Sequence, residues 1–199
     1  MYFVHYPTNS YDQTLDILSL TKTNSPKTSS LPLADFWHPK RNDKQKEVIF
    51  NSLGINNLNQ NNIDYCFEYP TPAYENRESG KTLQYSKPSM TDLMFFLDKK
   101  ARITLEAKYT EYVNDELYAP ILYDWNDTSK PHRKKIIECW IDYIKNSGCS
   151  TIKSADDLLN DERIKELPYQ FLHRTASACF RCEKPILVYQ LFYDNCKSS

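Results

Sequence analysis

Glycine is scarce: there are three in 199 residues. That leaves no glycine-rich loop of the kind whose backbone amides cradle phosphate. No apolar run approaches the roughly 18 residues a membrane helix needs, so no membrane partner is expected. There is no surplus of positive charge. Twenty-five Lys and Arg stand against 26 Asp and Glu, a net charge of −1. Any basic surface must therefore be local and set against an acidic site. The four histidines (His5, His38, His132 and His173) lack the spacing of metal ligands. No internal repeat or long low-complexity tract is visible. The first residues are Tyr-rich and interrupted by Pro7, unlike a signal peptide. The six cysteines accordingly read as reduced thiols, and the expected location is cytoplasmic.

What is present is ordinary for a globular chain: 40% hydrophobic and 26% charged residues, with 14% aromatics, 15 of them Tyr. The length suits one domain with a sizeable core. Tyr2 to Tyr6 reads as a short edge strand, Tyr11 to Leu20 as a helix and Thr21 to Ser30 as a loop. Asn42-Asp43 is a fair cap for a helix over Lys44 to Leu53, with Gln45, Val48, Ile49 and Leu53 turned to the core and Gly54 as the stop. Ile63 to Tyr69 alternates as a strand, with Asp64, Cys66 and Glu68 on its polar face, and Pro70-Thr-Pro72 ends it. Tyr74 to Ser86 reads as a loop.

The stretch Pro88 to Tyr112 organises the rest. Leu93 to Leu97 is an apolar run of strand length, and Arg102 to Leu105 alternates around β-branched Ile103 and Thr104. Asp98-Lys-Lys-Ala between them is a polar break of hairpin size. With Leu97 facing Arg102, Asp92 falls opposite Ala107, give or take one residue. It then lies across from or diagonal to Glu106 and Lys108, which share one face of their strand. Two carboxylates and an ammonium gather at one end of an apolar hairpin. They form either a surface ion-pair cluster or a site.

Beyond the hairpin, Tyr112 to Trp125 is aromatic and acidic and has no clear assignment. Asp127 to Pro131 starts a helix over Pro131 to Ser147 that buries Ile136, Ile137, Trp140, Ile141 and Ile144, with Gly148 past its end. Its first turn holds His132, Arg133, Lys134 and Lys135, electrostatically misplaced at a helix N-terminus. That is either a solvated charge run or a place for phosphates. Ser154 to Asp157 caps a short helix reaching about Glu166. Tyr169 to Cys182 is a further helix, with Gln170, His173, Arg174 and Ser177 on one polar face. Ile186 to Tyr193 reads as a doubly covered parallel strand beside Ile103 to Tyr109.

Asp92, thirteen intervening residues and then Glu106-Ala107-Lys108 on a strand-turn-strand resembles the PD-(D/E)xK nuclease superfamily. Thr91, not proline, precedes the Asp, and Pro88 lies four back. The resemblance implies an α/β fold: a restriction-endonuclease-like αβββαβ core, its mixed central sheet flanked by helices. It would occupy residues 42–193 of a single nuclease-like domain spanning 1–199, with 1–41 as an N-terminal extension. It also implies a metal-dependent nuclease that hydrolyses phosphodiester bonds, with DNA the expected substrate and restriction, defence or repair the setting. Asp92 and Glu106 would hold Mg²⁺ or Mn²⁺ through hard oxygens, with the Ala107 carbonyl as a third ligand. Glu47, on the helix before the sheet, is either the family's extra metal acid or a solvated residue, and Glu68 is the second candidate. Lys108 would be the catalytic cation and Gln170 a site contact. Arg174, His173, Arg133 and Lys134 would meet the nucleic acid. A homodimer is a common family way to cut both strands, and Tyr112 to Trp125 could serve it. Some members carry an iron–sulfur cluster on four cysteines. Here Cys179-Phe-Arg-Cys182 and Cys196 make one CxxC without a second pair, and a buried structural thiol is the better reading. The alternative function is a non-catalytic member of the fold that binds nucleic acid or protein.

Overall fold

A computed structural model describes residues 2–3, 6–8, 10–20, 29–38, 41–55, 63–76, 82–84, 87–97, 101–108, 120–126, 129–130, 132–149, 151 and 154–192. The hairpin lies inside a mixed sheet. Its strands are β6 (Ser89–Phe96) and β7 (Ala101–Lys108). They pair antiparallel from Phe96↔Arg102 to Leu93↔Leu105, one residue from the expected register. Upstream lie β1 (Tyr2–Phe3), β2 (Tyr6–Pro7), α1 (Tyr11–Leu20), α2 (Ser30–Phe36), α3 (Asp43–Ser52), β3 (Asp64–Thr71), β4 (Tyr74–Asn76) and β5 (Thr82–Gln84). Downstream are α4 (Leu122–Trp125), α5 (His132–Asn146), α6 (Ala155–Asn160), α7 (Tyr169–Cys179) and β8 (Lys184–Leu191). The sheet order is β2-β1-β3-β6-β7-β8, with β4-β5 a separate two-stranded piece. β8 runs parallel to β7 with Ile103 opposite Ile186, as the long helical crossover between them requires.

Alternation along the strands gives the sheet two unlike faces. On one, Phe67, Leu93, Phe95, Ile103, Leu105 and Ala107 pack with Leu18 of α1, Leu33 and Ala34 of α2, Trp37, and Phe50 of α3. Aromatic rings fill its centre: Trp37 lies 4.6 Å and Phe50 5.8 Å from Phe95. Leu18, Leu33, Ala34 and Trp37, from the segment expected as an N-terminal extension, thus belong to this core. Helix α7 packs on the other face, and α4 to α6 join it in an apolar cluster of their own around Ile137, Trp140, Ile141, Leu158 and Ala176. That cluster contains no residue of β3, β6, β7 or β8. On that face the sheet carries buried Glu106 and Thr104 beside buried Met94 and Cys66, and Arg174 of α7 is buried against Glu106.

Several local expectations shift. Helix α3 buries Lys46 and Phe50, while Val48 is 67% exposed. The ring contacts of Phe50 set the helix phase, and the Lys46 ammonium turns inward to donate to the His38 carbonyl. Asn42 is left-handed at φ 58° and makes no cap; its side chain donates to the Phe36 carbonyl instead. Gly54, at φ 74°, ends the helix as expected, its N–H bonded to the Asn51 carbonyl. Pro70 does not end β3 but pairs within it, opposite Met90. Segment 74–86, expected as a loop, contains the β4-β5 pair. Residues 30–36, expected to be loop at their start, form α2. The helix expected to reach Glu166 stops at Asn160, and α7 stops at Cys179. β8 is an edge strand, half-buried along its length, not a doubly covered one.

Candidate active site

The β6–β7 ladder runs out at Leu93↔Leu105. Past that point Asp92 takes the place of a ladder partner, its Oδ2 accepting the Ala107 N–H at 2.8 Å. The carboxylate is fixed by the backbone of the neighbouring strand. Glu106, two residues from Thr104 on the same face, points under α7 and is 1% exposed. Its Oε1 accepts from Gln170 Nε2 at 2.8 Å and lies 3.3 Å from Lys108 Nζ. Its Oε2 lies 2.6 Å from Arg174 Nε, an ionic contact without the alignment of a hydrogen bond. Asp92, Glu106, Lys108 and Gln170 are therefore brought together, as the sequence led us to expect.

Glu47 is not with them. It is exposed on α3, which packs on the opposite face of the sheet. The third carboxylate is Glu68 of β3, the residue ranked second in the sequence. It adopts φ 50°, in the left-handed region that β-strand residues avoid. Burial raises its carboxyl to about 7, and Asp92 and Glu106 push the same way against the pull of Arg174. Glu106 is also raised to about 7, first by burial and then by Asp92, which together outweigh Arg174 and Lys108. Three acids within one another's field and short of water form a place where an added cation would be welcome.

Arg174 is not placed to meet a phosphate. It is buried, and its Nη1 donates to Ser89 Oγ at 3.1 Å and to the Met90 carbonyl. It is the internal counter-ion of Glu106. His173 shares Ser89: its Nδ1 lies 2.8 Å from Ser89 Oγ. Burial and the neighbouring Arg174 and Lys108 push its ring down to about 3, so at neutral pH it carries no charge for a phosphate. Arg133 donates to the Trp125 carbonyl at 2.6 Å and sits over the Trp125 ring, and Lys134 pairs with Asp156 at 2.8 Å. These two basic residues tie α5 to α4 and α6, away from the carboxylates. Ser89, which links His173 to Arg174, carried no signal in the sequence beyond its place at the strand start.

Hard oxygen donors suit Mg²⁺ or Mn²⁺, and the raised Glu68 and Glu106 fit a divalent ion held by Asp92 and Glu106. Among the described residues no three His, Cys, Asp or Glu side chains form a ready-made cage. Arg174 would have to yield part of its hold on Glu106. Cys179 and Cys182 are buried thiols, and Cys196 lies outside the described residues. So does 112–119 of the unassigned aromatic stretch; its end forms α4, where Trp125 stacks on Tyr169 at 3.7 Å. Among the described residues no helix is long and apolar enough to cross a membrane.

No curated protein and no solved structure matches the chain. One family does match, over residues 7–198, nearly the whole length. The chain belongs to that family, described as Domain of unknown function (DUF6946).

Proposed function

We propose that the chain is a divalent-metal-dependent nuclease of the PD-(D/E)xK type that hydrolyses phosphodiester bonds in DNA, in a restriction, defence or repair setting. In this reading α3, β3, β6, β7, α7 and β8 are the αβββαβ core of a restriction-endonuclease-like fold. The observation that carries it is the convergence of Asp92, Glu106 and Lys108 on one face, at the point where two core strands part. Asp92 and Glu106 would hold the metal. When bound, the metal polarises the phosphate and lowers the pKa of its water. Lys108, 3.3 Å from Glu106, lends its ammonium to the charge that builds on the phosphate oxygens. Gln170 orients Glu106 through its 2.8 Å bond.

The test is nicking of supercoiled plasmid with Mg²⁺, with Mn²⁺ and with EDTA. Cleavage is expected with metal only, with a loss of at least about a hundredfold in Lys108→Ala and Asp92→Ala. Cleavage by Lys108→Ala at the wild-type rate would end the assignment. One observation favours the alternative, a non-catalytic member of the fold that binds nucleic acid or protein: the Glu106 carboxylate is already neutralised from within by Arg174. Calorimetric titration with Mn²⁺ separates the two readings, because only the nuclease needs heat of binding that disappears in Asp92→Ala.

A further inference from the structure

The carboxylates have a neighbour on the same face that the chemistry above does not use. Tyr189 stands opposite Glu106 in the β7–β8 ladder, and Leu191 stands opposite Lys108. Paired residues of parallel strands project to the same side, so both lie on the site's face of the sheet. Phe171 follows Gln170 on α7 and packs on the Tyr189 ring, with centroids 5.2 Å apart and planes at 52°. The packing is incomplete. Phe171 is 42% and Leu191 38% exposed, two of the few large apolar side chains left open to solvent. An open aromatic surface thus borders a partly exposed ammonium and a carboxylate pair.

Resting on the nuclease reading, we infer that Phe171, Tyr189 and Leu191 form a platform on which one unpaired base of the DNA substrate stacks while its phosphate lies at Lys108. The match is one of charge and shape together. An unpaired nucleotide offers a flat apolar face and an anion a short distance apart, and this edge of the sheet offers an aromatic ring and a cation. A base inside a duplex has both faces covered by its neighbours and cannot use the ring. The platform therefore selects single-stranded DNA, or a junction where a base has left the stack. Stacking is tolerant of sequence, since every base has such a face.

The experiment uses the full chain and a single-stranded oligodeoxynucleotide carrying 2-aminopurine, with Ca²⁺ in place of Mg²⁺. The fluorescence should be quenched on binding, and the same strand annealed to its complement should bind more weakly. Phe171→Ala should weaken single-strand binding about 5- to 150-fold, the usual range for losing one stacked base. Phe171→Trp should retain it. Phe171→Leu, which keeps an apolar side chain without a ring, should fall with Phe171→Ala. Equal binding by Phe171→Ala or Phe171→Leu and the wild type overturns the platform, as does equal affinity for single strand and duplex. Plasmid nicking separates the two claims. Nicking lost in Lys108→Ala but untouched in Phe171→Ala, with binding also untouched, removes the platform and leaves the nuclease. Absence of nicking by the wild type, with binding still dependent on Phe171, removes the nuclease and leaves the platform. A wild type that binds no single-stranded oligonucleotide overturns the platform, and the nicking assay alone then decides the nuclease.

Discussion

At the scale of single residues the site is a contest between three acids and two bases in little water. Burial decides it in favour of protonation for Glu68 and Glu106, both raised to about 7. The folded chain therefore holds protons that the unfolded chain releases near pH 4.5, and stability falls as pH climbs from there to about 7. In Glu68→Gln part of that slope should vanish. The variant should match the wild type near pH 5 and exceed it by on the order of 1–2 kcal/mol near pH 8, read by urea unfolding at both values. Arg174→Met should act in the opposite sense. It strands Glu106 as a buried charge, which typically costs about 3–5 kcal/mol. The loss should be larger at pH 8 than at pH 5.5, where Glu106 can escape by taking a proton. The sequence pointed to Asp92, Glu106, Lys108 and Gln170 because strand and helix periodicity put each on a definite face. It ranked Glu47 above Glu68 because the left-handed turn of the backbone at Glu68 leaves no trace in residue type. It cast Arg174 as a phosphate contact because nothing in a helix pattern says that a guanidinium will be spent on a carboxylate below it.

At the scale of elements, the long periodic segments were the legible ones. The five residues read as the buried stripe of α5 are all buried, because an amphipathic helix of four turns over-determines its own phase. Ile137 is fully buried there, and Ile137→Ala should cost about 2–5 kcal/mol in chemical denaturation. The cap of α6 was equally clear: Ser154 Oγ accepts the Asp157 N–H at 3.1 Å and donates to the Asp157 carboxylate at 2.8 Å. Ser154→Ala should lower stability by about 1 kcal/mol, measurable as a drop in melting temperature. Short elements were harder. α3 carries one strong aromatic anchor, Phe50, and its rotation follows that ring's contacts with Trp37 and Phe95, not the mean of its apolar residues. α2 lies next to a Ser- and Thr-rich stretch and holds a proline in its first turn, so composition hid it.

At the scale of the whole molecule, α1, α3, β3, β6, β7, α5, α7 and β8 could be read in order, but β4, β5, α2 and α4 could not, nor could the packing of the N-terminal segment onto the sheet. Its contribution depends on contacts with residues far along the chain, such as the bond from Trp37 Nε1 to Gln190 Oε1 at 2.9 Å. Deleting residues 1–41 should uncover Phe50, Phe95 and Ile103 and leave a chain without cooperative melting in circular dichroism. The sheet, meanwhile, adheres to its two coverings by different forces. Oil holds the α1–α3 side; the α4–α7 side adds ion pairs and hydrogen bonds at Glu106 and Arg174 to apolar contacts such as Phe171 on Tyr189. The second attachment leans on buried charge, so α4 to α7 should lift away as one plate before the rest gives way. Native-state hydrogen exchange would then record two tempos, with α7 amides opening below the global threshold and those of β6 and β7 waiting for complete unfolding.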